Sequence, residues 1–281
     1  MSNTKITSID LNIGDSFFGD LNKAKEIVMN LKKLGVSDLK VTGDRVCLYP
    51  FLEELLAYIK ELELNVGVLS NNHGYKNTDV NRIRRYVDYL ETVLYGVDSF
   101  EHDRILKSNG SYDELISNLL GYDFCKSSNQ KLGVYVDLVN DNYDKIFQTI
   151  LNFRNSGISI DYALIRRYAP FVSENRNPIL TPQQMNESFE DIKRINDELK
   201  VDAKMVGDLS LWTIPSVYHK YIKNNTLSLN KFICDIDGNL YVDKKGKVLE
   251  LGNVLEASPL ILFDKCLDER KISSKVKRKA M

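Results

Sequence analysis

Residues 6–35 read ITSIDLNIGDSFFGDLNKAKEIVMNLKKLG, and the change of period inside this stretch decides the fold class. From Ile6 to Ile13 apolar and polar residues alternate, the period of a half-buried strand. Beyond Leu21 the spacing becomes helical, with Ala24, Ile27, Val28, Leu31 and Leu34 on one stripe. Gly35 then stops that helix as a C-cap glycine does. Strand, loop and helix form one βα unit.

The same order recurs along the chain. Leu39 to Thr42 is a short apolar strand, and Phe51 to Leu62 returns to helical spacing. Val66 to Ser70 is a third strand, followed by the polar turn Asn71-Asn72-His73-Gly74 and a helix through Leu90. Val93 to Val97 is expected as strand four, Leu132 to Val139 as strand five and Ile158 to Ile165 as strand six. Helices are expected over Tyr112–Tyr122 and Tyr143–Asn155. A last one opens at Thr181, its N-cap, with Pro182 at the first helical position, and runs to about Leu199. Parallel neighbours need helical crossovers, so six βα units imply a parallel sheet. Right-handed crossovers make that sheet an open, incomplete barrel or a doubly wound fold.

After about Lys200 the pattern changes. Phe232 to Asp243 reads as a hairpin turning at Asp237-Gly238, and Val248–Leu251 with Leu255–Phe263 completes a small appendage. The expected division is a barrel over residues 1–200, an extension over 201–268 and a basic flexible tail over 269–281.

Composition removes several function classes. A net charge of −1 leaves no global field to attract nucleic acid or an anionic membrane. The short basic tail lacks interleaved aromatics, so no nucleic-acid partner is expected. Residues Met1–Asp10 carry no signal-peptide run and no stretch is long and apolar enough to span a bilayer, so no membrane association and a cytoplasmic location are expected. Cys47, Cys125, Cys234 and Cys266 form no C-x-x-C pair, which indicates neither a zinc ribbon nor a redox dithiol, and no metal site is expected.

In open parallel sheets ligands sit at the carboxyl ends of the strands. That places the candidates at Gly43, Asp44 and Arg45, at Ser70 and Asn71, at Asp98 and His102, and at Arg166. Asp44 and Arg45 either orient a polar ligand or pair around a tight turn. Asp98 and His102, four apart, are either an acid–base pair on one helical face or an N-cap aspartate beside a structural histidine. Ser70 and Asn71 either donate hydrogen bonds to a ligand or cap their turn. Strand side chains alternate, so one of Arg166 and Arg167 points inward, and Arg166 is the candidate.

Several of these strand ends resemble those of radical S-adenosylmethionine (radical SAM) enzymes, in order and at similar spacing. Gly35–Gly43 (GVSDLKVTG) resembles the second strand leading into the family's G-G-E-P turn. Val66–Asn71 (VGVLSN) resembles the strand ending in T-N-G, and Val97–Asp103 (VDSFEHD) the S-x-D-G segment with its histidine–aspartate pair. Ile236–Tyr241 (IDGNLY) with Leu251–Val254 (LGNV) resembles the SPASM or twitch extension of peptide-modifying members. The resemblance implies an α/β fold, an open partial (β/α)6 TIM-like barrel with a small C-terminal hairpin and helix extension. It also implies a carboxylate-clamping role for an arginine at Arg166.

The departures point the other way on chemistry. The family places three cysteines, usually C-x-x-x-C-x-x-C, in the loop after strand one, to hold a [4Fe–4S] cluster that chelates the cofactor. Here residues 14–20 are Gly-Asp-Ser-Phe-Phe-Gly-Asp, without a thiol. The cofactor turn reads Gly43-Asp44-Arg45-Val46, which sets a cation where the family meets an ammonium, and Asp243 stands where the extension expects a cysteine. The expectation is therefore a degenerate member, without cluster or S-adenosylmethionine. It would bind a peptide substrate or an active partner enzyme in peptide or natural-product modification. The alternative is a cluster-independent enzyme using Asp98, His102 and Arg166 at the barrel mouth.

Overall fold

The computed structural model describes residues 7–14, 20–43, 46–70, 80, 82–138, 142–167, 180–207, 214–223, 231–244, 247–256 and 261–262. Two compact units divide the chain: residues 1–68 with 230–281, and residues 69–229.

In the first unit β1 (Ser8–Asn12) buries Ile9 and Leu11, and α1 (Leu21–Lys33) lays Ala24, Ile27, Val28 and Leu31 into the core. The Asp20 carboxylate caps α1, accepting from the Asn22 N–H at 2.8 Å, while Lys32 and Lys33 sit in its last turn, where the helix dipole favours cations. Next come β2 (Asp38–Thr42), α2 (Leu52–Glu61) and β3 (Asn65–Ser70), with β2 parallel to β1 and Ser8 opposite Asp38. The chain returns to this unit with β8 (Lys231–Asp235), which pairs parallel to β1 on its other side. From there β9 (Asn239–Lys244) and β10 (Lys247–Asn253) continue as an antiparallel meander.

The hairpin turn closes on a network of hydrogen bonds. Asp235 Oδ1 accepts from the N–H groups of Asp237 and Asn239, both at 2.9 Å, and Oδ2 accepts from Asn239 Nδ2 at 3.0 Å. Asn253 Nδ2 donates to the Asp237 carbonyl at 3.0 Å and to Asn239 Oδ1 at 2.9 Å, tying the turn to the end of β10.

The second unit carries β4 (Tyr89–Leu94), α3 (Ser99–Leu106), α4 (Ser111–Cys125) and β5 (Lys131–Leu138), then α5 (Ile146–Asn155), β6 (Tyr162–Arg167), α6 (Pro182–Arg194) and β7 (Asp202–Val206). Its four strands lie side by side in sequence order and all parallel. The expected Thr181 cap forms a full capping box with Gln184 ahead of α6. The protein is thus α/β, with ten mostly parallel strands among the described residues and a sheet that does not close, as an open partial barrel requires.

Two expected strands are corrected and one further strand is found. Strand four covers Tyr89–Leu94 instead of Val93–Val97, and Leu90 belongs to it, not to a helix. Glu91 and Thr92 are buried inside that strand, at 2% and 0% exposure, and such polar residues hide a core strand from a hydropathy pattern. Strand six is Tyr162–Arg167; the buried Ile158 and Ile160 belong to its approach. Strand β7 was not expected, because Asp202 and Lys204 break a five-residue run.

Gly133 on β5 is fixed by a neighbour. A Cβ there would come within 2.3 Å of the Tyr162 ring, whose hydroxyl donates to Glu91 Oε1 at 2.8 Å. Replacing Gly133 by Ala must displace that ring, and overpacking of this kind costs about 1–3 kcal/mol. Urea unfolding of G133A measures the loss, and in a Tyr162→Leu background most of it should vanish. An equal loss in both backgrounds would mean the ring is not what the glycine accommodates.

Candidate functional site

At the carboxyl end of the second unit's strands, one face gathers an ion pair and aromatic rings. Alternation puts Tyr135 and Asp137 of β5 on the same face, and Leu164 and Arg166 of β6 likewise. The parallel register sets Asp137 directly beside Arg166. The contact is bidentate: Arg166 Nε donates to Asp137 Oδ1 at 2.7 Å and Nη2 to Oδ2 at 2.9 Å. The guanidinium lies 5.0 Å from the centroid of the Tyr135 ring, a cation–π distance. Burial disfavours the Arg166 charge, but the Asp137 carboxylate outweighs it and holds the guanidinium above its ordinary pKa. Beneath the pair, Val93, Tyr135 and Leu164 form an apolar floor against which Leu69, Tyr95, Tyr162 and Val206 pack.

A guanidinium held along its Nε–Nη2 edge still has N–H groups on its other edge. Here they are aimed by Asp137 and flanked by aromatic surface. Because the pair is formally neutral, it offers directional donors to a carbonyl, carboxylate or phosphate oxygen with little long-range field. Arg166, a sequence candidate, is therefore a half-buried member of a built group. Asp137, Tyr95 and Tyr135 escaped the sequence reading. The signal for two of them was present in the alternation of Leu132–Val139, but only the register of β5 against β6 converts it into a contact.

Asp98 and His102 stand differently. Asp98 is the exposed N-cap of α3, its carboxylate accepting from the Glu101 N–H at 2.9 Å. His102 is fully buried, its ring edge-on between Tyr95 and Tyr112 at centroid distances of 5.5 and 5.3 Å. Its Nδ1 accepts a long 3.4 Å hydrogen bond from the Tyr95 N–H, so the proton of the neutral ring belongs on Nε2, which has no partner among the described residues. Asp103 accepts from Gly110 N, Ser111 Oγ and Tyr112 N, which fixes the start of α4 and so the ring beside His102. Gly96 makes the close approach possible, since a Cβ there would meet Glu101 Cβ at 2.4 Å and His102 N at 2.8 Å. The two residues thus occupy separate environments: Asp98 caps in solvent, and His102 packs beneath the backbone of Tyr95.

Gly43 lies in the first unit, at the end of β2, where a Cβ would stand 3.1 Å from the Gly14 carbonyl. Gly14 opens the turn after β1, its N–H donating to Asn12 Oδ1 at 2.9 Å. Ser70, at the end of β3, is 1% exposed. Asp44, Arg45 and Asn71 lie outside the described residues, as do residues 15–19 of the loop after β1.

The fold is shared with solved structures of other proteins. The structure named native anSMEcpe with bound AdoMet aligns with a TM-score of 0.65 over 91% of this chain and 80% of its own, at 10% identity. SuiB from Streptococcus suis aligns with a TM-score of 0.63 over 83% of this chain, at 13% identity. The fold is that of radical SAM enzymes. HydG, a maturase of the [FeFe]-hydrogenase, shares it more distantly, with a TM-score of 0.52 over 73% of this chain. This chain spans 60% of the length of SuiB. In sequence it is 19% identical over 203 residues to an S-adenosylmethionine-dependent nucleotide dehydratase of a Thermoplasmatales archaeon (strain ISO4-H5), covering 68% of this chain and 71% of that protein. No protein-family model matches. None of the described helices is long and apolar enough to cross a membrane.

Radical SAM enzymes hold an iron–sulfur cluster on thiolates, and among the described residues the thiols are not gathered into such a set. Cys125 ends α4, and its carbonyl accepts from Arg84 Nη1 ahead of β4, which puts it at the amino ends of the strands, opposite the Arg166 site. Cys234 sits in β8 with no exposed surface, and burial pushes its thiol up to about 12, so it is a neutral core residue at physiological pH. Cys47 lies in the turn Val46–Leu48 after β2, and Cys266 lies outside the described residues. Among the described residues no group of three or more His, Cys, Asp or Glu side chains is placed to hold a metal ion.

Burial lowers the His102 pKa from 6.5 to about 4. The unfolded chain therefore binds a proton that the folded one refuses as pH falls from about 6.5 to about 4, and stability is lost across that window. It is fully present above it, and the shift corresponds to ~3 kcal/mol. Urea midpoints measured from pH 7.5 to 4 should show a steeper decline in the wild type than in His102→Gln. Parallel curves for the two proteins would mean that His102 titrates normally.

Proposed function

We propose that this chain is a radical SAM-fold protein without radical chemistry, a binding protein that acts on a peptide or on a partner enzyme in peptide or natural-product modification. The distribution of its cysteines carries this reading: none in residues 14–20, one in the core of β8, and one at the wrong end of the second unit's strands. Without thiolates at the end of the first strand, the electron donor of the family has no seat. The Arg166–Asp137 pair over Tyr135 is intact, and it supplies oriented donors beside an apolar floor, a surface that suits an extended peptide. Related folds take such ligands: SuiB is known bound to its precursor peptide SuiA, and anSMEcpe with the Cp18Cys peptide. In this reading Arg166 and Tyr135 contact the ligand, and Asp137 positions Arg166.

A second reading has support from the same group: a cluster-independent enzyme would use Arg166 to hold a carboxylate or phosphate. The nucleotide dehydratase relative makes a phosphate-bearing ligand the test case for it.

Two measurements separate these readings. Full-length protein incubated with S-adenosylmethionine and dithionite, after loading with iron and sulfide, should leave the sulfonium intact by chromatography; cleavage above the protein-free control would refute the proposal. Affinity capture with wild type and Arg166→Ala as baits should recover a modifying enzyme or its peptide with the first and at least about tenfold less with the second, the cost of losing one charged hydrogen-bond donor pair. Equal recovery would remove Arg166 from the binding surface.

A further inference from the structure

Strand β4 ends at Leu94, level with Val136 of β5, so Tyr95 is the first residue beyond that ladder. Its level is that of the next register position, where Asp137 of β5 stands beside Arg166 of β6. Alternation puts Tyr95 on the face of Val93, and there it packs against the floor of Val93, Tyr135 and Leu164. Burial opposes the Arg166 charge, while Asp137 and then Tyr135 and Tyr95 favour it, so Tyr95 lies within electrostatic reach of the guanidinium. Tyr95 thus borders the ion pair on its β4 side.

Side chains from the crossover hold the backbone of this strand exit. The Tyr95 N–H donates to His102 Nδ1 on α3 at 3.4 Å, and the two rings meet edge-on at 5.5 Å. Two residues on, the Val97 N–H donates to Glu101 Oε2 at 3.3 Å, and the Val97 carbonyl accepts from Asn152 Nδ2 of α5 at 2.8 Å. Lys145 Nζ holds the other oxygen of Glu101 at 3.0 Å. His102 is itself confined, fully buried with the Tyr112 ring 5.3 Å away. An apolar side chain of similar size would fill its place without accepting from the Tyr95 N–H. The imidazole adds that acceptor, and burying a polar ring is costly without some such return.

We propose that His102 is a positioning residue of the binding surface: its Nδ1 holds the Tyr95 backbone, and with it the Tyr95 ring, against the Arg166–Asp137 pair. The proposal rests on the reading of that pair as a ligand contact. Tyr95 then joins Tyr135 as a second aromatic contact, and His102 acts from beneath without touching the ligand. If the Tyr95 exit loosens, water gains access to the guanidinium that the ring borders.

Hydrogen exchange of the Tyr95 N–H and the Arg166 Nε–H, followed by NMR on the full chain with the β6 amides as internal reference, tests this. His102→Asn keeps an acceptor at the Nδ1 position, and His102→Leu removes it. The asparagine variant should exchange like the wild type. The leucine variant should exchange about tenfold faster at both sites relative to β6, the effect of losing one net hydrogen bond. Should the leucine variant not fold, His102→Gln, whose amide falls at the Nε2 position, takes its place with the same expectation. Unchanged exchange in that variant overturns the proposal, and so does an asparagine variant that exchanges as fast. Faster exchange at Tyr95 alone also overturns it, because His102 would then support the backbone without shaping the site. None of these failures alters the capture result expected for Arg166→Ala. Equal capture by Arg166→Ala removes the ligand reading, whatever the exchange rates show of His102.

Discussion

A parallel strand can be followed by a parallel neighbour only if a crossover carries the chain back to the starting edge. Within each unit the carboxyl ends of the parallel strands therefore share one edge, and a residue's distance from its strand end decides whether it can reach a ligand there. Asp137 and Arg166 are brought together by this rule, two neighbouring strands delivering opposite charges at matched register positions. The same rule removes Cys125, which terminates a crossover helix at the other edge. A thiol can be present in a chain and still be out of play.

The C-terminal hairpin is built on polar side chains. Its turn is held by the Asp235 carboxylate and the Asn253 amide, which satisfy backbone groups that a tight turn leaves open, with the Asn239 amide linking the two side chains. Cys234, beside Asp235, faces the other way into the core, where its neutral thiol serves as a small apolar side chain.

Much of the architecture was legible because helices announce themselves by period and caps. The α1 stripe from Ala24 to Leu31, the Asp237-Gly238 turn and the Thr181–Pro182 helix start all lie where the sequence puts them. Strands were harder wherever function or packing sets polar residues inside the sheet. Glu91 and Thr92 disguise β4, and Asp202 and Lys204 disguise β7. Of the candidate site, Arg166 could be read from its place at a strand end. Its partners could not, because Asp137 is 29 residues away and becomes a neighbour only through a register that no local pattern specifies. His102 illustrates the converse: its spacing from Asp98 suggested a pair, whereas burial against Tyr95 and Tyr112 sets its chemistry.

The proposed function requires that this polypeptide offer no thiolate seat for an inorganic cluster. Mössbauer spectroscopy of the full chain, after anaerobic incubation with ⁵⁷Fe and sulfide and removal of unbound iron, addresses it without reference to any substrate. The account predicts only adventitious iron, well below one atom per chain, and no quadrupole doublet of a [4Fe–4S] centre. About four irons per chain in such a doublet would contradict it.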